Sequence, residues 1–185
     1  MAQDGIRVAS YNTHGGVGRD GRFVPKRIAE VLKELKADVI GLQEVENRST
    51  GFDMLNYLAG ETGFHAIAGP TFLRRGADYG NGLLTRFKVL SVQKINLCVE
   101  RCEPRGAIDA ELDCGGTPMR VLATHLGLRP YERREQIQRL LPLAHDDARL
   151  LIERDGGLTG ERGEAARLLL YLFERDWGVQ LLRGG

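Results

Sequence analysis

Polar residues suited to catalysis fall where runs of apolar residues stop. Asn12 and His14 follow residues 6–11, Glu44 follows residues 39–42, Asn81 precedes residues 82–85, and His125 follows residues 119–124. Strand ends of this kind can share one rim of neighbouring sheets. A rim that gathers a carboxylate, a carboxamide and two imidazoles suggests catalysis. Magnesium takes oxygen ligands at about 2.0–2.1 Å in an octahedron, commonly one or two carboxylates with water and substrate phosphate completing it. Glu44, supported by Asn12, matches that demand, and Mn²⁺ would be accepted by the same donors.

Each residue also has an ordinary use. An acid after a strand is commonly a solvated loop residue or a cap, and an asparagine before two glycines commonly closes an Asx turn. His125 alone reads as a strand-end imidazole bonded to backbone. His14 and His65 read as surface or turn residues, and His145-Asp146-Asp147 as a helix terminus. Cys98 and Cys102 lack the second matched pair that a zinc site needs.

The elements that must position these groups are legible in part. Residues 6–11 form a β-favouring run ending in the turn-rich Asn12-Thr13-His14-Gly15-Gly16. From Pro25, which suits a first helical turn, Ile28, Val31, Leu32 and Leu35 mark one face of an amphipathic helix. Val39-Ile40-Gly41-Leu42 is a continuous apolar run, as in a strand buried on both faces. Residues 53–60 read as a short helix capped by Asp53 or its neighbour, and 66–68 and 82–85 as short strands. Ile108, Ala110 and Leu112 alternate with Asp109, Glu111 and Asp113, predicting a strand with one solvated face. The turn at 113–118 joins it to 119–124 as an antiparallel hairpin. A helix over 130–141 should turn Ile137, Leu140 and Leu141 inward. Strand, helix, strand, then antiparallel strands and a helix, predict an α/β or α+β layered sandwich.

Residues 143–185 differ in texture. They contain no serine, are rich in Leu, Arg, Glu and Gly, and predict helices over 145–154 and 161–182. The expected organisation is therefore a region of residues 1–142 followed by a helical tail, 143–185.

The chain has 185 residues, enough for a domain that buries about 70% of its unfolded surface. No apolar run approaches the roughly 20 residues that span a bilayer. No basic-then-apolar segment opens the chain and the three cysteines are an odd number, so the expectation is a cytoplasmic protein with free thiols. Residues 1–142 carry 20 basic and 17 acidic side chains, and residues 143–185 carry 6 and 8, far from the basic footprint of a dedicated nucleic-acid binder.

Five segments, in order, resemble the endonuclease/exonuclease/phosphatase superfamily: IRVASYNTH (6–14), ADVIGLQEV (37–45), YGNGLLTR (79–86), EPRGA (103–107) and ATHL (123–126). The resemblance covers about residues 5–141 and implies a deoxyribonuclease-like sandwich that cleaves phosphoesters with Mg²⁺. It implies that Glu44 binds the metal, that Asn12 helps orient metal and phosphate, and that His125 hydrogen-bonds the scissile phosphate or protonates the leaving oxygen. Asn81 and Arg105 would be further phosphate contacts. The chain departs from the family after residue 142: no Gly-Asp-x-Asn and no Ser-Asp-His follow, and no histidine occurs after His145. Asp155 is the nearest counterpart of the missing aspartate. The fold therefore reads as incomplete at its C-terminal end, with impaired catalysis. The alternative is an inactive, truncated or frameshifted member serving as a binding or association module.

The implied substrate is a phosphodiester, in DNA or in a phospholipid-type head group. Arg19, Arg22, Lys26, Arg27, Arg74, Arg75, Arg129, Arg133 and Arg134 could line a DNA track, and binding would then weaken steeply with salt. No aromatic-rich loop or basic amphipathic helix points to lipid.

Overall fold

The computed structural model describes residues 6–143, 168–171 and 180–183, the last two stretches by their backbone. In chain order the elements are β1 (Arg7–Asn12), α1 (Pro25–Glu34), β2 (Val39–Glu46), α2 (Met54–Thr62), β3 (His65–Arg74), β4 (Ala77–Thr85), β5 (Lys88–Asn96), β6 (Gly106–Asp113), β7 (Pro118–Thr124), α3 (Pro130–Leu140), β8 (Leu168–Tyr171) and β9 (Gln180–Arg183). Single 3₁₀ turns occur at His14–Gly16 and Leu141–Leu143. The chain divides into two compact units, residues 1–87 with 177–185, and residues 88–176. The architecture is α/β, with one sheet and its helices in each unit.

The first unit carries a five-stranded sheet in the order β3-β4-β2-β1-β9. Its middle strand is the apolar run at Val39, and burial on both faces explains why that run does not alternate. Ile40 and Leu42 pack with Ala9 of β1 and Leu84 of β4 against Ile28 and Leu32 of α1 and Met54, Leu55 and Leu58 of α2. Fully burying one such side chain stabilises the fold by about 1.5–3 kcal/mol. Pro25 opens α1, where its missing N–H costs nothing, and Asp53 caps α2 by accepting from Asn56 N.

The second unit carries the sheet β5-β6-β7-β8. The hairpin predicted at 113–118 is present, with Asp113 opposite Pro118 and with Gly115 and Gly116 in left-handed conformations. α3 packs Leu140 against Leu97, Ala107, Leu122 and Leu126.

Several expectations need correction. The supposed solvated face of β6 is not solvated along its length, because Asp109 is 7% exposed and ion-paired with Arg120. Leu141 points outward rather than inward, since the helix closes at Leu140 and Leu141 enters a 3₁₀ turn. β3 and β4 run to 10 and 9 residues, longer than predicted, and β5 is a strand that no alternation in the sequence announces. In the region expected to be helical over 161–182, Leu168–Tyr171 is a strand beside β7, and Gln180–Arg183 is a strand beside β1. A short apolar run carries no periodicity that separates strand from buried helix, and an open sheet edge decides it here. The helix over 145–154, and Asp155, lie outside the described residues.

Candidate active site

β1 and β2 run parallel with Asn12 opposite Gln43. β2 and β4 run antiparallel with Leu42 opposite Gly82 and Val45 opposite Gly80. Two residues of β2, Gln43 and Glu44, therefore stand across from one residue of β4, Asn81, which is a β-bulge. Asn12, the Gln43-Glu44 pair and Asn81 form one row across three adjacent strands. Ala9, Ile40, Leu42 and Leu84 face the helices. By alternation Asn12, Gln43 and Asn81 lie on the opposite face. Glu44 and Asn81 thus lie inside strands, where the sequence placed them just outside.

The bulge fixes the direction of Glu44. Its φ of +54° is a left-handed conformation, costly for a non-glycine residue by about 1–2 kcal/mol. Glu44 Oε1 accepts a hydrogen bond from Asn12 Nδ2 at 2.9 Å, and Oε2 lies 3.4 Å from His14 Nδ1. Asn12 Oδ1 accepts from His14 N at 2.9 Å. These two bonds fix the carboxamide orientation, because a flipped amide would set oxygen against carboxylate and N–H against N–H. Below the row, Thr13 is buried and its hydroxyl lies 2.8 Å from Glu44 O, while Gln43 Nε2 donates to Ser10 Oγ at 3.0 Å. Burial pushes the neighbouring Tyr11 hydroxyl up from the usual phenol range, so it stays protonated.

His14 is an exposed turn residue, as the sequence implied, and it also lies against Glu44 with a φ of +47°. Glu46 and Arg48 also belong to the site, and the sequence does not single them out. Glu46 is 4% exposed and paired with Arg48 at 3.2 Å and Arg74 at 3.5 Å. The available signal was its position two residues beyond Glu44 in the same strand.

In the unit of residues 88–176, Ala107 pairs with Thr124, which brings Arg105 and His125 to the same end of the β6–β7 pair. His125 is half-buried. Arg105 is 8% exposed, its Nη1 pairs with Glu103 at 2.9 Å, and its Nε is buried without a hydrogen-bond partner. Several arginines of the supposed DNA track are engaged within the protein: Arg27 on Asp20, Arg74 on Glu46, and Arg133 on the Leu128 carbonyl.

Among the described residues, no cluster holds three or more His, Cys, Asp or Glu placed for a metal ion. Glu44, with its side chain 23% exposed, supplies one hard, reachable carboxylate. That suits Mg²⁺ or Mn²⁺, which complete their shells with water and phosphate, and does not suit zinc.

A family model for endonucleases, exonucleases and phosphatases matches residues 9–156. The chain belongs to the endonuclease/exonuclease/phosphatase family. Among solved structures, a family member from Beutenbergia cavernae is similar at 25% identity and a TM-score of 0.68, covering 80% of this chain and 45% of its own. The human Nocturnin catalytic domain, solved with a bound sulfate anion, is 23% identical with a TM-score of 0.59, covering 78% of this chain and 60% of its own. A truncated TDP2 from Caenorhabditis elegans is 22% identical with a TM-score of 0.58, covering 75% and 53%. This family chain thus spans about half the length of those structures and shares their fold over that span. No curated protein matches its sequence. Among the described residues no helix is long and apolar enough to cross a membrane.

Proposed function

We propose that this family member is a phosphodiester hydrolase that works with a divalent cation held at Glu44. The row of Asn12, Glu44 and Asn81 across three strands carries the reading. A left-handed bulge aims a reachable carboxylate there, and an asparagine from the next strand holds it. The cation, Mg²⁺ or Mn²⁺, would supply a Lewis acid for the phosphoryl oxygen. Asn12 orients Glu44 through Nδ2, and its oxygen is occupied by His14 N. Asn81 would donate to a phosphate oxygen, and His125 would hydrogen-bond the phosphate or protonate the leaving oxygen. Arg105 would be a further phosphate contact.

The test is turnover of bis(4-nitrophenyl) phosphate by the purified chain in Mg²⁺ or Mn²⁺. Hydrolysis should fall at least about a hundredfold in EDTA and in Glu44→Ala, the scale of losing one preorganised electrostatic group. Activity that survives both defeats the reading. DNA and phospholipid-type head groups share the diester chemistry, and parallel assays on each would separate them.

A second reading rests on the missing Gly-Asp-x-Asn and Ser-Asp-His motifs. A positioned general base is worth about 10²–10⁴-fold. The 185-residue chain by itself is then a weak catalyst, or a module that binds metal and phosphodiester without turning it over. Mn²⁺ and DNA binding without hydrolysis would favour that reading, and robust turnover would exclude it.

A further inference from the structure

The turn that carries His14 has an unusual backbone. His14, Gly15 and Gly16 have φ of +47°, +59° and +77°, three successive left-handed residues. Left-handed backbone is unfavourable for histidine and unconstrained for glycine, so the run depends on the contacts that hold it. Within and around it, His14 N donates to Asn12 Oδ1, Gly16 N to Thr13 O, Val17 N to His14 O and Val24 N to Gly16 O, and Arg48 Nη2 donates to Gly15 O at 2.9 Å. Arg48 is anchored in turn. Its Nη1 bonds Glu46 Oε1 at 3.2 Å, and its guanidinium lies 4.1 Å from the centre of the Phe23 ring. The Glu46 carboxylate sits against the turn itself, with Oε2 2.7 Å from where a Gly15 Cβ would be.

We propose that Glu46 and Arg48 form a clamp that fixes the His14–Gly16 turn, so that Asn12 and His14 hold Glu44 in its metal-binding direction. They are positioning residues and would touch neither metal nor substrate. Glu44 and Glu46 lie two apart on β2 and divide the work. Glu46 is buried between two arginines and anchors the turn, while Glu44 keeps a reachable carboxylate. Arginine is required at 48 because one planar fork must reach a carboxylate and a carbonyl together, and a lysine ammonium offers no such fork.

The inference rests on the metal reading of Glu44, and the experiment separates the two. Mn²⁺ binding to the full chain is titrated by electron paramagnetic resonance, with Tm measured in EDTA. Arg48→Met and Glu46→Gln should each raise the Mn²⁺ Kd about 10–100-fold, the range for residues that orient a metal ligand. The double variant should be no weaker than the poorer single variant, because one clamp is broken in each. Arg48→Lys keeps a cation beside Glu46 and guards against a variant that fails to fold. It should keep the wild-type Tm and still raise Kd about tenfold. A wild-type Kd in Arg48→Lys, with Mn²⁺ binding lost in Glu44→Ala, overturns the clamp alone. Mn²⁺ binding that persists in Glu44→Ala overturns the metal reading, and the clamp with it.

Discussion

Glu44 and Gly15 each show what a single residue contributes to the site. Glu44 accepts a left-handed backbone in exchange for its direction. Gly15 tolerates its φ of +59° without a side chain, and the Glu46 carboxylate fills the space a side chain would need. Gly21 is a natural control, having a φ of +70° and open space for 4 Å around the place its Cβ would take. Gly21→Ala should cost about 1 kcal/mol from backbone conformation alone. Gly15→Ala should cost roughly twice that, because the methyl must also displace a buried, ion-paired carboxylate. Urea denaturation of the two variants measures the difference. Equal losses would mean that Glu46 yields freely and does not brace the turn.

At the scale of elements, β6 and β7 show why alternation identifies a strand better than its surroundings. Ile108, Ala110 and Leu112 are buried as the pattern requires, yet Asp109 on the other face is buried too. Arg120 Nε and Nη2 donate to its two oxygens at 2.7 and 2.5 Å, and this pairing raises the Arg120 pKa further. Arg120→Met would leave the Asp109 carboxylate buried without its partner. The expected cost is roughly 2–3 kcal/mol, below the figure for a fully buried pair because Arg120 is 28% exposed. Adding Asp109→Leu should recover most of it, and a double variant as unstable as the single would contradict this account. The same limit on legibility applies to the site. Glu44 and Asn12 can be read from their places after apolar runs. The bulge that joins them to Asn81 cannot, since it depends on the register between β2 and β4. Glu46 and Arg48 stay hidden in the sequence, as does the contact of His14 with Glu44, because these roles come from contacts around a left-handed turn, which no periodicity reports. Arg105 is legible as a residue but not as a buried one.

For the whole molecule, the described stretches of residues 143–185 include two strands at sheet edges. Each unit's sheet is extended by one strand drawn from them, β9 beside β1 and β8 beside β7. The reason is the unpaired N–H and C=O groups that any exposed edge presents, a template for pairing with another chain. β1 is also the strand whose last residue, Asn12, orients Glu44, so the edge that β9 covers belongs to the element holding the site. A chain ending at Leu143 would leave β1 and β7 each with one unpaired side. In the full chain β9 and β8 are the outer strands, so the truncation moves the open edge inward, onto β1 and β7. Amide exchange at residues 7–10 and 120–123 should be faster in the shortened chain, because edge hydrogen bonds open more easily than those of inner strands. Mn²⁺ affinity should fall with it, since a fraying β1 lets Asn12 swing away from Glu44. A shortened chain with unchanged exchange and unchanged Mn²⁺ binding would show that the two terminal strands support neither sheet nor site.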